Sequence, residues 1–497
     1  NRRRPNFNAA AILSPQGSPP FLVPIAPLFA LAPRSCYQSE VNLPTRLALT
    51  LASAILAIVS FPPLHWWWLA LMAWLPFFLA LRGAGPKTAL LIGLLHGMLL
   101  FSGTLIWLVE IFGPMAFLLH FILAMFSVFF AMIFNTLDRP SNSAWLTGML
   151  AGILWAGIEY FRSEWFTLRF PWITPGTALP PNLLTPLIGV YGISLLVILA
   201  TAWLVSRNNK CRITGVVALI MIALAIAFNS SGDKYQDTSL QVSAIQGETL
   251  SFDEYMDLSA SISKPTKAII WPEYALSFDL REHPDKLARI RELMQEKEAE
   301  VLIVGSMTIH ADNTWSNTAI IVGQDRILGT HNKNRPVHFF DDGEPGKEAP
   351  AWPTPIGKIA TPICFDNDYA AVPRRAVANG AEMLLIPSMD AEHWTTRQHL
   401  QHAELFRHRA AENRRWMVVA ASSGLTQIID PSGNRRASLP LFEPGVLHGE
   451  IRPLSTLTFY TRFGWLLGPA CALLAGLMAL AAVVIQRRDA KRPTIPN

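Results

Sequence analysis

The sequence is poor in charge. Only 15% of its 497 residues are Asp, Glu, Lys or Arg, against roughly 25% in an average soluble protein. That deficit excludes a chain dissolved in water along its whole length. A hydrophobic fraction of 51% and a mean hydropathy of +0.29 point to a membrane protein. Cysteine is scarce too. Cys36, Cys211, Cys364 and Cys471 form no Cys-x-x-Cys pair, which removes disulfide scaffolds and zinc ribbons from consideration. No Lys/Arg stripe that would track phosphates is present, so the pI near 9.0 does not indicate a nucleic-acid partner. The soluble stretch shows no internal repeat and no low-complexity tract.

What charge there is, is unevenly spread. It is sparse over 47–228, common over 230–452, and sparse again over 465–485. The chain reads as a poorly ordered leader (1–42), a seven-span transmembrane domain (43–230), a soluble catalytic domain (238–455), a last transmembrane helix (464–485) and a basic tail (486–497). A span needs about 20 apolar residues. Eight candidates lie near 46–61, 66–82, 88–109, 114–136, 144–162, 183–206, 212–228 and 464–485. Arg82, Lys87, Arg139, Arg207, Lys210, Arg212, Arg487 and Arg488 then fall on one side with the Arg-rich leader. By the positive-inside rule both termini are cytoplasmic and the soluble domain faces out. The fifth connection departs from this pattern. It carries Arg162, Arg169, Trp165 and Trp172 on the outer side, as an aromatic interfacial belt or a substrate surface. Arg162 and Trp172 are accordingly candidate substrate-binding residues.

The soluble domain alternates short apolar runs with amphipathic stretches, the pattern of a layered α/β fold. Strands are expected at 240–246, 267–273, 301–307, 316–322, 325–333, 356–365, 382–388, 416–423 and 425–433. Helices are expected at 283–300, 370–380 and 396–414. Three residues stand at or just beyond strand ends: Glu273 in IIWPEYA, Lys333 in HNKNRP and Cys364 in PICFDND. Rigid sheets aim such positions into clefts. A thiol with a pKa of about 8.5 needs a base or a nearby cation to react at neutral pH. Glu273 is a candidate general base, Lys333 an oxyanion-stabilising cation and Cys364 a nucleophile. His393, His399, His402 and His408 cluster in sequence but show no readable ligand motif, so no metal and no cofactor is expected.

Trp-Pro-Glu, a hairpin closing on a lysine, and GKIA-x-x-ICFD together resemble the nitrilase (carbon-nitrogen hydrolase) superfamily. RRAVANGAEMLLIPS, RHRAAENRRW and SSGLTQIIDPSG extend the likeness. The resemblance implies a four-layer αββα sandwich with Glu273, Lys333 and Cys364 in the roles above. With ILWAGIEYFRSEW, RFPWITPG, LIGVYGIS and FYTRFGW in the flanking membrane blocks, 42–490 resembles the apolipoprotein N-acyltransferase family. That family implies a bacterial inner-membrane enzyme with a periplasmic domain. It takes an acyl chain from a phospholipid, usually phosphatidylethanolamine, and gives it to the α-amino group of an S-diacylglyceryl-cysteine lipoprotein. The alternatives are a membrane-anchored nitrilase-type hydrolase and a silent lipoprotein-binding protein. Three motifs depart from the family. Its Cys-Tyr-Glu is Cys364-Phe365-Asp366 here. Its Phe-Gly-Glu is Phe339-Phe340-Asp341, which makes Asp341 the expected supporting carboxylate, with Glu344 close by. Its Ser-Asn-Asp-Ala-Trp-Phe is PSMDAEHW, which aligns Asp390 and makes Trp394 a candidate substrate contact.

Overall fold

The computed structural model describes residues 41–138, 142–229 and 239–490. Most of the expected leader, Cys36, Arg139 and the end of the basic tail lie outside the described residues.

The first half is a helix bundle: α1 (Leu43–Ser60), α2 (Leu75–Leu81), α3 (Pro86–Thr104), α4 (Leu108–Phe112), α5 (Met115–Leu137), α6 (Ala144–Tyr160), α7 (Pro175–Ala178), α8 (Thr185–Leu204) and α9 (Asn209–Ala227). Among the described residues seven helices are long and apolar enough to cross a membrane, six here and one at the C-terminal end. The expected second span is different. It is a short turn, Trp67–Leu71, followed by α2, together shorter than an ordinary span. A Trp-rich start and Pro76 inside the first turn of α2 break it. It still runs antiparallel along the whole of α1. Trp66 N donates to Val59 O at 3.0 Å, Ser53 Oγ to Ala73 O at 2.7 Å, and Arg46 Nη1 to Ala80 O. Small residues let the helices close up. A Cβ on Gly97 of α3 would lie 2.7 Å from Ala124 Cα of α5.

The second half is a sandwich of two six-stranded sheets. One has the order β12-β1-β2-β3-β4-β5, the other β11-β10-β9-β8-β7-β6. The strands are β1 (Leu240–Gln246), β2 (Ala268–Ile270), β3 (Val301–Ile309), β4 (Trp315–Gly323), β5 (Ile327–Asn332), β6 (Trp352–Thr354), β7 (Gly357–Ala360), β8 (Met383–Ser388), β9 (Trp416–Ala421), β10 (Gln427–Ile429), β11 (Arg435–Ser438) and β12 (Gly445–Ile451). β1-β2-β3 and β7-β8-β9 pair in parallel. They are covered on both faces, which is why they read as unbroken apolar runs. Val242, Ile303, Leu385 and Val418 pack between the sheets. Helices α10 (Phe252–Ala260) and α11 (Pro284–Glu296) cover the first sheet through Trp271 and Met294. Helices α12 (Ala371–Ala378) and α13 (Thr396–Asn413) cover the second through Phe406 and Val419. This is the αββα fold implied by the resemblance. Helix α10 was not expected, although Ser251 and Glu254 form a reciprocal capping box at its start.

The chain then passes through α14 (Phe459–Arg462) into α15 (Leu467–Ala490), which packs back against α6. Leu473, Leu477 and Leu480 of α15 point outward and are more than 60% exposed, an apolar face suited to lipid. The domain sits on one end of the bundle. Gln401 Nε2 of α13 donates to Pro62 O at 3.3 Å and Thr104 O at 3.0 Å. Asn229 Nδ2, just beyond α9, donates to Ser432 O at 2.9 Å. The opposite end gathers the α3–α2 turn, the start of α6 and the end of α15. Asn135 Nδ2 reaches Ala84 O at 2.7 Å, and Gln486 Nε2 reaches Thr136 Oγ1 at 2.9 Å.

Candidate active site

The three strand-end residues converge. β2 stops at Ile270, three residues before Glu273, and Tyr274 turns the chain with φ 56°. Lys333 follows β5 directly, its backbone N donating to Asn317 O at 2.8 Å. β7 stops at Ala360, short of the expected strand end, and Cys364 opens a tight turn over Cys364–Asn367 with φ 44°. A side chain in that left-handed region is strained and must be held by its surroundings. Asp366 supplies the hold. Its Oδ1 accepts from Asn334 N (2.9 Å) and Arg335 N (2.8 Å), and its Oδ2 accepts from Ile363 N (3.1 Å) and lies 2.8 Å from His331 Nε2. One carboxylate therefore ties the lysine loop to the cysteine loop.

Around them is a buried ionic cluster. Lys333 Nζ lies 2.7 Å from Glu273 Oε1 and 2.7 Å from Asp342 Oδ2. Asn317 Nδ2 donates to both carboxylates, at 2.6 Å to Glu273 and 2.9 Å to Asp342. The Tyr274 hydroxyl donates to Asp342 as well. Burial opposes the Lys333 charge, but Glu273 and Asp342 outweigh it and hold the ammonium pKa well above its ordinary value. Burial pushes the Glu273 carboxyl up, with Asp342 adding to the push and Lys333 resisting it. Burial would also raise Asp342, but Lys333 keeps it below the usual carboxylate range. Burial and Glu273 push the Cys364 thiol well up, against Lys333. The resting site thus holds a neutral thiol, a fixed ammonium and a carboxylate of raised basicity. Cys364 Sγ donates to Met389 O at 3.4 Å. A thiol that shares a cavity with a paired base and cation has the groups needed to form and stabilise an acyl-thioester.

These groups open onto a cavity of about 450 Å³. One wall is the catalytic domain, with Glu273, Lys333 and Cys364. The other is the bundle, with Trp107, Leu108, Ile111, Leu119, Ile122 and Leu123. Residues 53–203 match the model of the apolipoprotein N-acyltransferase N-terminal domain, and residues 239–458 match the carbon-nitrogen hydrolase model. The chain is 26% identical to the apolipoprotein N-acyltransferase of Geobacter metallireducens, over 88% of this chain and 95% of that one. It is 28% identical to that of Azotobacter vinelandii, over 89% of this chain and 95% of that one. Both halves of the chain thus match apolipoprotein N-acyltransferases, in the same order. A carbon-nitrogen hydrolase structure from Helicobacter pylori aligns with 48% of this chain and 94% of its own, at 18% identity and TM-score 0.38.

Within this fold the other expected site residues part company. Trp394 lines the cavity, its ring 6.0 Å from that of Phe340. Trp172 lines it too, donating to Asp368 Oδ2 at 2.5 Å and stacking on His402 at 5.8 Å. Arg162 does not reach the cavity. It is buried in the bundle, donates to Trp172 O at 2.8 Å and lies over the Phe101 ring, so it supports Trp172 rather than meeting a ligand there. The supporting carboxylate is also corrected. Asp341 is exposed, while its neighbour Asp342, three residues after the left-handed Phe339 (φ 70°), turns inward onto Lys333. Asn317 was missed, though an Asn inside the apolar run of β4 is itself a signal that a buried polar partner exists. His402 bridges Asp390 (2.7 Å) and Asp368 (3.1 Å). Burial opposes its charge, yet the two carboxylates raise its pKa to about 10. His399 points to Ala391 O at 3.1 Å, and burial lowers His408 to about 3.

Proposed function

We propose that this protein moves an acyl chain from a membrane phospholipid to the N-terminal α-amino group of a diacylated lipoprotein, through a thioester on Cys364. The observation that carries the reading is the shared cavity: one wall is apolar bundle, the other is the nucleophile and its ion cluster. A chain lying among Leu108, Ile111 and Leu119 brings its ester to the domain surface, where Sγ waits.

Glu273 takes the thiol proton as Sγ attacks the ester carbonyl. Lys333, already fixed as an ammonium, faces the developing oxyanion. Collapse expels the lysophospholipid alkoxide, which recovers the proton from Glu273. The acceptor amine then enters, gives a proton to Glu273 and attacks the thioester. The Cys364 thiolate leaves and is reprotonated by Glu273. Asp342 and Asn317 keep Lys333 and Glu273 in register through both halves. Lys333 donates to Glu273 throughout, which explains how a carboxylate of raised pKa stays a base.

The same reading places the domain on the periplasmic side. Arg82, Lys87, Arg207, Lys210, Arg487 and Arg488 lie at or beyond the bundle end away from the domain, where the positive-inside rule puts the cytoplasm.

Membranes bearing the protein, incubated with radiolabelled phosphatidylethanolamine and a diacylated lipopeptide, should form labelled amide, and Cys364→Ala membranes should form none. Labelled free fatty acid in place of amide would show a hydrolase, and label independent of Cys364 would remove the thioester.

A further inference from the structure

The cavity walls are mostly acidic where they are charged. Glu273, Asp341, Asp342 and Asp390 line it, and Lys333 is already held by two of them. A phosphodiester is repelled from that side. One corner differs. Arg169 lines the cavity beside Phe170 and His338, and the Arg335 guanidinium lies 5.3 Å over the Tyr369 ring. Tyr369 ties the two together, because its hydroxyl donates to Arg169 O at 3.2 Å. The Arg169 carbonyl and guanidinium both act on the His338 ring, which burial already keeps neutral. Among the described residues, Arg169 Nε, Arg335 Nε and His338 Nε2 are all buried without a hydrogen-bond partner. Neither guanidinium forms a salt bridge to a described carboxylate. Two guanidiniums with unspent Nε donors, Arg169 on the cavity wall and Arg335 across Tyr369 from it, cost stability unless an acceptor meets them at some stage. The corner is one side chain from the nucleophile. Phe365, next to Cys364, packs on Tyr369 at 5.2 Å and on His338 at 6.3 Å.

We propose that Arg169, backed by Arg335 across the Tyr369 ring, forms the subsite for the phosphodiester of the phospholipid donor, positioning its ester carbonyl over Cys364. This rests on the acyl-transfer reading and deepens it. The glycerol backbone bridges the distance from an ester at Sγ to a phosphate past Phe365. Arginine suits the task, since its planar donors match two phosphate oxygens at once. The acceptor presents an ammonium instead, which the acidic side favours, so the corner sorts the two lipids by charge. It also holds the leaving lysophospholipid until its alkoxide is protonated.

The test compares two acyl donors on the full-length protein in detergent micelles: phosphatidylglycerol, and an uncharged p-nitrophenyl ester of the same acyl chain. Thioester formation on Cys364 is the readout. Arg169→Gln and Arg335→Gln should each lower kcat/KM for the phospholipid roughly 10- to 100-fold, mostly through KM. The p-nitrophenyl ester should lose less than about 2-fold, which also shows that the variants are folded. Arg169→Lys should recover part of the phospholipid rate. An equal loss with both donors, or no loss with either, overturns the subsite. Inorganic phosphate that blocks the neutral ester as well as phospholipid does would reassign the corner to a free anion. If wild-type Cys364 is acylated by the neutral ester but by no phospholipid, the subsite and the donor fail together. If neither donor acylates it, the acyl-transfer reading itself fails.

Discussion

At the scale of single residues, the site depends on one ammonium shared by two carboxylates. Removing a charge from such a buried set leaves the others uncompensated. Asp342→Asn should therefore lower acylation roughly 10- to 100-fold, since Lys333 loses one of two anchors. It should also move the pH profile, and the sign can be worked out. Burial and the Asp342 charge both raise the Glu273 pKa. Glu273 works as a base only when ionised, so the wild-type rate falls with falling pH through a value above the ordinary carboxylate range. Without the Asp342 charge that limb moves to lower pH. A limb that stays put or rises, measured as kcat/KM for thioester formation, would separate Asp342 from Glu273. That Glu273, Lys333 and Cys364 face one cavity was legible in the sequence, because each sits in a motif just beyond a strand. Asp342 was not. The loop from Lys333 to Gly346 has no periodicity, and which acid turns inward is set by a backbone dihedral at Phe339 rather than by any pattern of types.

At the scale of elements, the joint between bundle and domain is made where α8 bends. Gly189 has φ 64° and ψ −177° inside α8, a conformation only glycine adopts freely. The bend lets Val190 N donate to Glu412 Oε1 of α13 at 3.0 Å. A Cβ on Gly189 would lie 2.4 Å from Tyr460 Cε2. Gly189→Ala should cost roughly 2–4 kcal/mol, combining backbone strain and overpacking. Gly476→Ala on α15 is the control. Nothing lies within 4 Å of its added Cβ, so helix propensity should leave it neutral or up to about 1 kcal/mol more stable. Thermal unfolding of the two variants in detergent should separate them clearly, and equal midpoints would refute the joint. Elements were legible where period and length agree, as in β1, β3 and α13. The second pass misled for a physical reason. Its composition is that of a span, but Pro76 and the Trp turn break its helix, and it is carried along α1 by tertiary hydrogen bonds that a hydropathy window does not register.

At the scale of the whole molecule, division into membrane and soluble parts was legible from charge alone, but their docking was not. Trp107 Nε1 donates to Gln401 Oε1 at 3.0 Å across 294 positions, and Trp172 reaches Asp368 across 196. Such pairs leave no local trace. Yet they create the feature on which the proposed acyl transfer rests, namely one cavity with an apolar bundle wall and a wall that carries Cys364 and its ion cluster. If that wall holds the acyl chain, its shape sets chain length. Leu119 on α5 lines the apolar side, away from the ion cluster. Leu119→Trp adds bulk there without touching a charge. Thioester formation from long-chain phospholipids should slow at least 10-fold, while short-chain donors keep most of their rate, since only the long tail meets the new ring. Asp342→Asn, by contrast, should slow donors of every length alike, because it acts on the reacting carbonyl. Rates measured across a series of chain lengths therefore separate the two walls. A Leu119→Trp protein that slows all chains equally, or none, would mean that the acyl chain lies elsewhere.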